Sequence, residues 1–82
     1  MEDFEILDAS GFLVGVKQST KAMHENRVIK LYIAKDVEQH VIRSLIKLAR
    51  EKEIEIVYIN SMLELGRLCN IDVGAATAVI VK

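Results

Sequence analysis

Residues 28–59 read VIKLYIAKDVEQHVIRSLIKLAREKEIEIVYI. Two runs rich in β-branched residues, Val28 to Ala34 and Glu55 to Ile59, enclose a stretch of a different period. From Glu38 to Lys52 the apolar residues fall at 41, 42, 45, 46, 48 and 49. That spacing lines one face of a helix. The order is therefore strand, helix, strand. The flanking runs are almost continuously apolar, which suits strands in a sheet covered on both faces.

The same alternation continues in both directions. Upstream, Phe12-Leu13-Val14 is a short strand closed by Gly15. Lys17 to Asn26 is polar on one face, with Ala22 and Met23 on the other. Downstream, Ser61 to Cys69 carries Leu65 and Leu68 at helical spacing, and Ala75 to Val81 is a last strand with Thr77 inside it. A short segment around Phe4 to Leu7 precedes the whole. Alternation of this kind predicts an α/β sandwich with a central sheet between helices.

The composition bounds what such a fold does. The 82 residues make one small domain, 1–82, with little core to spare for a deep substrate pocket. A hydrophobic share of 51% excludes an intrinsically disordered chain. Cys69 is the single cysteine, which excludes a disulfide framework and a zinc site built on several thiolates. It is expected as a small buried hydrophobe. The N-terminus is acidic and does not read as a secretory signal. The apolar run from Ala75 to Val81 falls far short of the ~20 residues that span a bilayer. A reducing cytoplasm and no membrane partner are the expectation.

The net charge of −1 is uninformative, but its distribution is not. Glu2, Asp3, Glu5 and Asp8 crowd the start without a base. Residues 17 to 35 carry Lys17, Lys21, Arg27, Lys30 and Lys35 against Glu25 alone, a balance of +4. Lys17 and Lys21 are four apart and share a helix face, where like charges repel slightly. Such a face is either solvated or set against a polyanion, whose binding releases counterions. Gln18 between them offers a donor and an acceptor, the chemistry of base-edge reading.

Helix starts differ along the chain. Asp36 stands three residues before Gln39, and Ser61 three before Glu64, so both read as capping boxes. The helix near Lys17 has only Gly15 and Val16 before it. Its first-turn amides are then open to an anion, to water, or to a local Ser19 or Thr20 hydroxyl. Arg67 sits near the end of the third helix, before the loop Asn70-Ile71-Asp72-Val73-Gly74. Ile71 and Val73, two apart, are expected on one side of it, either stacking on an extruded base or plugging the sheet.

Three ordered segments resemble one family. Gly15-Val16-Lys17-Gln18-Ser19-Thr20-Lys21-Ala22 is similar to the signature G-x-[N/K]-[E/Q]-x-x-K-A of the L-seven-Ae family. Its members are ribosomal and small-ribonucleoprotein proteins that bind kink-turn RNA. Tyr32-Ile33-Ala34-Lys35-Asp36 resembles the junction I-A-x-D. Leu65-Gly66-Arg67-Leu68-Cys69-Asn70-Ile71-Asp72-Val73-Gly74-Ala75-Ala76 resembles L-G-x-x-x-G-I-x-V-x-A-A. The match runs from Gly11 to Lys82 without evident gaps.

The resemblance implies a three-layer α-β-α sandwich with a central four-stranded mixed sheet. It implies that Gly15, Lys17, Gln18 and Lys21 meet the tandem sheared G·A pairs of a kinked duplex. Ile71, Asp72 and Val73 would cover the bulged nucleotides, with Arg67 beside them. The acidic N-terminal segment would face away from RNA. Lys17-Gln18 stands where the archaeal and eukaryotic pattern has Asn-Glu, which points to a bacterial, ribosomal-protein-like paralogue. Asn70 replaces the usual glycine, and it too tolerates a left-handed cap.

The expected function is non-enzymatic recognition of kink-turn RNA by a monomer, without cofactor or metal. A protein-interaction module on a ribosome or ribonucleoprotein with weak RNA contact is the alternative. A small nucleotide-binding domain using the uncapped helix is a third reading. Nothing in the sequence builds a catalytic centre. His24 and His40 are isolated, and Gly15 to Lys21 lacks the order of a P-loop.

Overall fold

A computed structural model of the chain describes residues 11–81. The segment expected around Phe4 to Leu7 lies outside these residues. Seven elements follow in the expected order: β1 (Phe12–Val14), α1 (Val16–His24), β2 (Val28–Ala34), α2 (Gln39–Glu51), β3 (Glu55–Ile59), α3 (Met62–Leu68) and β4 (Thr77–Val81).

The strands form one four-stranded mixed sheet in the order β1-β4-β2-β3. The last strand is inserted between the first two. β4 runs antiparallel to β1, with Val14 opposite Ala78, and to β2, with Leu31 opposite Val79. β2 and β3 are parallel, with Leu31 opposite Ile56, as a helical crossover requires. The two central strands explain the continuous apolar runs: Leu31, Ile33, Ala34, Thr77, Ala78 and Val79 are all fully buried. β3 lies at an edge, so Glu55 and Tyr58 are exposed while Ile56, Val57 and Ile59 are half-buried.

α1 and α2 pack on each other and on one face of the sheet, and α3 covers the other face against β2, β3 and β4. Each amphipathic helix turns its apolar stripe inward: Ala22 and Met23 from α1; Ile42, Leu45 and Ala49 from α2; Leu65 from α3. The helices end alike. Asn26, Glu53 and Asn70 take the left-handed conformation at φ 58°, 58° and 63°. In each case the next amide donates five residues back, as Ile71 N–H does to the Gly66 carbonyl at 3.0 Å. These are Schellman closures.

One expected cap is corrected. Asp36 does not cap its own helix. α2 starts two residues later, after an extended Glu38, with no side-chain cap. Buried Val37 anchors the junction, and its N–H donates to the Ala34 carbonyl at 3.4 Å. Asp36 is thereby aimed across the end of the sheet, where its Oδ1 accepts the Met62 N–H at 2.9 Å. It caps α3 instead, at the positive end of that helix's dipole. Ser61 caps α3 as expected, its Oγ accepting the Glu64 N–H at 3.1 Å.

Candidate nucleic-acid interface

The first strand hands over to α1 through Gly15, at φ 109° and ψ 157°. Only glycine adopts that region without strain. Gly15 donates its N–H to the Thr77 carbonyl at 2.9 Å, and its own carbonyl accepts the Ser19 N–H at 2.9 Å. It stands at the N-cap and brings no side chain. Gly15 therefore contributes no capping side chain to the amides of the first turn.

The local hydroxyls do not substitute for a cap. Thr20 Oγ1 donates back to the Val16 carbonyl at 2.8 Å. Ser19 is fully buried, and its Oγ meets Thr77 Oγ1 at 3.0 Å. That hydroxyl pair ties α1 to the start of β4. Removing one member strands the other in a dry core. Thr77→Val is expected to destabilise the fold by about 1–3 kcal/mol, whereas Ser19→Ala with Thr77→Val is expected to be nearly neutral. Denaturant titration of the single and double variants checks this.

On the outer face of α1, Lys17 and Lys21 are both exposed. Gln18 is half-buried, and its Oε1 is turned inward, out of contact with solvent.

The loop after α3 is fastened to the same end of the sheet. Ala75 N–H donates to the Met62 carbonyl at 2.9 Å, and the Ala76 carbonyl accepts the Ala34 N–H at 3.0 Å. Beneath the loop lies Gly66, in the buried face of α3. A Cβ built there would overlap the Val73 carbonyl oxygen and lie 3.2 Å from the Gly74 Cα. Only a glycine lets the loop lie this close to the helix. Arg67, in the last turn of α3, is exposed beside it.

Ile71 and Val73 do not share a side, contrary to expectation. Ile71 is half-buried against the core, while Val73 is 67% exposed. The two-residue period holds only in a strand. β4 begins at Thr77, and residues 71–76 are bends and loop. Asp72 and Gly74 are exposed with Val73. The α1 start and the 70–76 loop thus meet at Thr77, one bonded to it and the other leading into it.

Sequence reasoning missed three supports of this arrangement: the Ser19–Thr77 pair, the Asp36 cap and the role of Gly66. A signal existed for the first of them. Thr77 interrupts an apolar run, and Ser19 lies on the helix face of Ala22 and Met23.

The isolated histidines and the cysteine sit as expected. His24 and His40 are exposed, and Cys69 is fully buried. Among the described residues no group of three His, Cys, Asp or Glu is placed to hold a metal ion, and no helix is long and apolar enough to cross a membrane.

Residues 5–82 match the ribosomal protein L7Ae/L30e/S12e/Gadd45 family. The chain belongs to this family. Both segments that build the α1–loop arrangement, residues 15–22 and 65–76, lie inside the matched region. An RNA-binding protein of Caldanaerobacter subterraneus subsp. tengcongensis is 54% identical over 69 residues, 84% of each chain. An RNA-binding protein of Halalkalibacterium halodurans is 40% identical over 78 residues, 95% of each. Among solved structures, the Giardia lamblia 15.5kD RNA binding protein superposes with a TM-score of 0.82 at 26% identity. The match covers 88% of this L7Ae-family chain and spans 61% of the Giardia protein's length. The sandwich expected of the family is the fold observed.

Proposed function

We propose that this L7Ae-family protein is a non-enzymatic RNA-binding protein that recognises and stabilises kink-turn RNA. The observation that carries the reading is the pairing of a side-chain-free helix start at Gly15, flanked by Lys17 and Lys21, with an exposed loop on the same strand end. Family membership and the RNA-binding relatives support it.

The chemistry follows from the parts. Kinking exposes guanine O6 and N7 on the major-groove side of the sheared pairs, and both are acceptors. Lys17 donates to them. Gly15, without a Cβ, lets the RNA approach the helix start. Lys21 neutralises a phosphate in the pinched backbone, where bending crowds charges together. Gln18 adds an amide donor. Val73, with Asp72 and Ile71 shaping the loop and Arg67 at its edge, covers the bulged nucleotides. The family's Asn-Glu pair is Lys17-Gln18 here. A cation thus replaces a neutral reader and an amide replaces a carboxylate, favouring affinity over discrimination.

The loop residues make separable predictions. Val73→Asp places a carboxylate at an exposed site, so the fold is expected to survive while RNA binding collapses. Ile71→Asp inserts a carboxylate against the core, so the fold itself is expected to fail. Circular dichroism and an RNA shift on the same samples distinguish the two.

The test of the function is a mobility shift with a kink-turn duplex beside one whose G·A pairs are disrupted. Preferential, salt-dependent binding of the first is the expected result. Equal binding of both, or of neither, would reject kink-turn recognition.

A further inference from the structure

We infer that the outer face of α2 and the neighbouring edge of β3 form a second RNA-backbone contact, built from Arg43, Lys47, Arg50 and Tyr58. The three cations are spaced i, i+4 and i+7, so they share a helix stripe about 10 Å long. All three are exposed, and none is held in an ion pair with a described residue. Elsewhere on the surface Arg27 pairs with Glu25 at 3.1 Å and Lys30 with Glu55 at 3.9 Å. The stripe thus keeps its mutual repulsion, a cost a polyanion would turn into attraction.

The stripe is also concave. With Tyr58 it walls an open cavity of about 500 Å³ between α2 and β3, in which Glu51 is the one acid. Three cations against one carboxylate leave the cavity net positive. Tyr58 is 48% exposed, so its hydroxyl is available to donate to a phosphate oxygen. Lys47 belongs to a second groove as well, of about 280 Å³, between α2 and the Thr20–His24 side of α1. Thr20 and His24 flank Lys21 along α1. This groove, lined also by Ser44, Leu48 and Glu51, links the α2 stripe to the side of α1 that carries Lys21. A stem leaving the proposed kink-turn site along this path meets successive cations and a tyrosine hydroxyl, side chains that hold phosphates.

This inference takes its occupant from the RNA-binding reading, and its test separates the two. The probes are a kink-turn with minimal stems and the same kink-turn with one stem extended by about two helical turns. The variant is Arg43→Ala/Lys47→Ala/Arg50→Ala, whose alanines favour the helix. Its affinity for the short RNA is expected to match wild type. Its affinity for the extended RNA is expected to fall about tenfold or more, with the log–log salt slope reduced by about two. Tyr58→Ala is expected to show a smaller loss on the extended RNA alone. Should the triple variant not fold, Arg43→Gln and Arg50→Gln singly are expected to show the same selective loss.

Wild-type affinity of the variants for both RNAs overturns the inference. Loss of generic duplex binding in the variant, from a wild type with no kink-turn preference, upholds the stripe and removes only the kink-turn reading. A wild type that binds no RNA removes both. Competition by polyglutamate as strong as by the extended RNA overturns the inference by making the stripe a protein-docking surface.

Discussion

Lys17→Ala/Lys21→Ala is expected to weaken kink-turn binding by about 3 kcal/mol or more, beyond a hundredfold. Each lysine makes a charge-assisted contact in the proposed complex, one to guanine and one to phosphate. Both side chains are exposed on α1, so neither fills the core. Stability is expected to change by no more than about 1 kcal/mol, the ceiling for exposed ion pairs. The log–log salt slope should fall by about one for the phosphate contact. Parallel loss of folding and affinity would make the lysines structural and remove them from the interface. Isothermal titration at two salt concentrations, with thermal melts of the same preparations, gives both quantities.

Gly66→Ala is expected to act through the loop. In an exposed helix, alanine for glycine stabilises by about 1 kcal/mol. Here the new methyl group would overlap the Val73 carbonyl oxygen, with the Val73 carbonyl carbon 3.1 Å away. Both are backbone atoms and give way only if the loop moves. Overpacking of this kind costs about 1–3 kcal/mol, and the Asn70 closure and the Ala75–Met62 hydrogen bond resist the shift. The melting temperature is expected to drop by about 10 °C. RNA affinity should fall with it, because Val73 is carried out of place. A gain in stability would show that the loop does not rest on this helix.

Much of the fold was legible because the period changes where elements change. Val28–Ala34 and Glu55–Ile59 are strands over the residues expected of them, bounded by the helical spacing between. What was not legible is tertiary. Asp36 looked like the cap of the helix next to it in sequence, yet its acceptor serves an amide 26 residues away. Ser19 and Thr77, 58 residues apart, satisfy each other, and no local pattern pairs them. Ile71 and Val73 were read with a strand's period in a segment that is a loop. Two local features of the candidate site, by contrast, were visible: the N-cap Gly15 carries no side chain, and Lys17 and Lys21 are both exposed on α1. Sequence alone left open that the 70–74 loop and the α1 start converge on Thr77.

The central claim is that the protein holds RNA in a kinked form. Energy transfer between dyes on the two stem ends of a kink-turn duplex, in buffer free of divalent ions, tests it most directly. The account predicts that transfer rises on adding protein and saturates at one protein per duplex, while a duplex with disrupted G·A pairs stays extended at the same concentrations. Binding of both duplexes with equal affinity and no rise in transfer would contradict it.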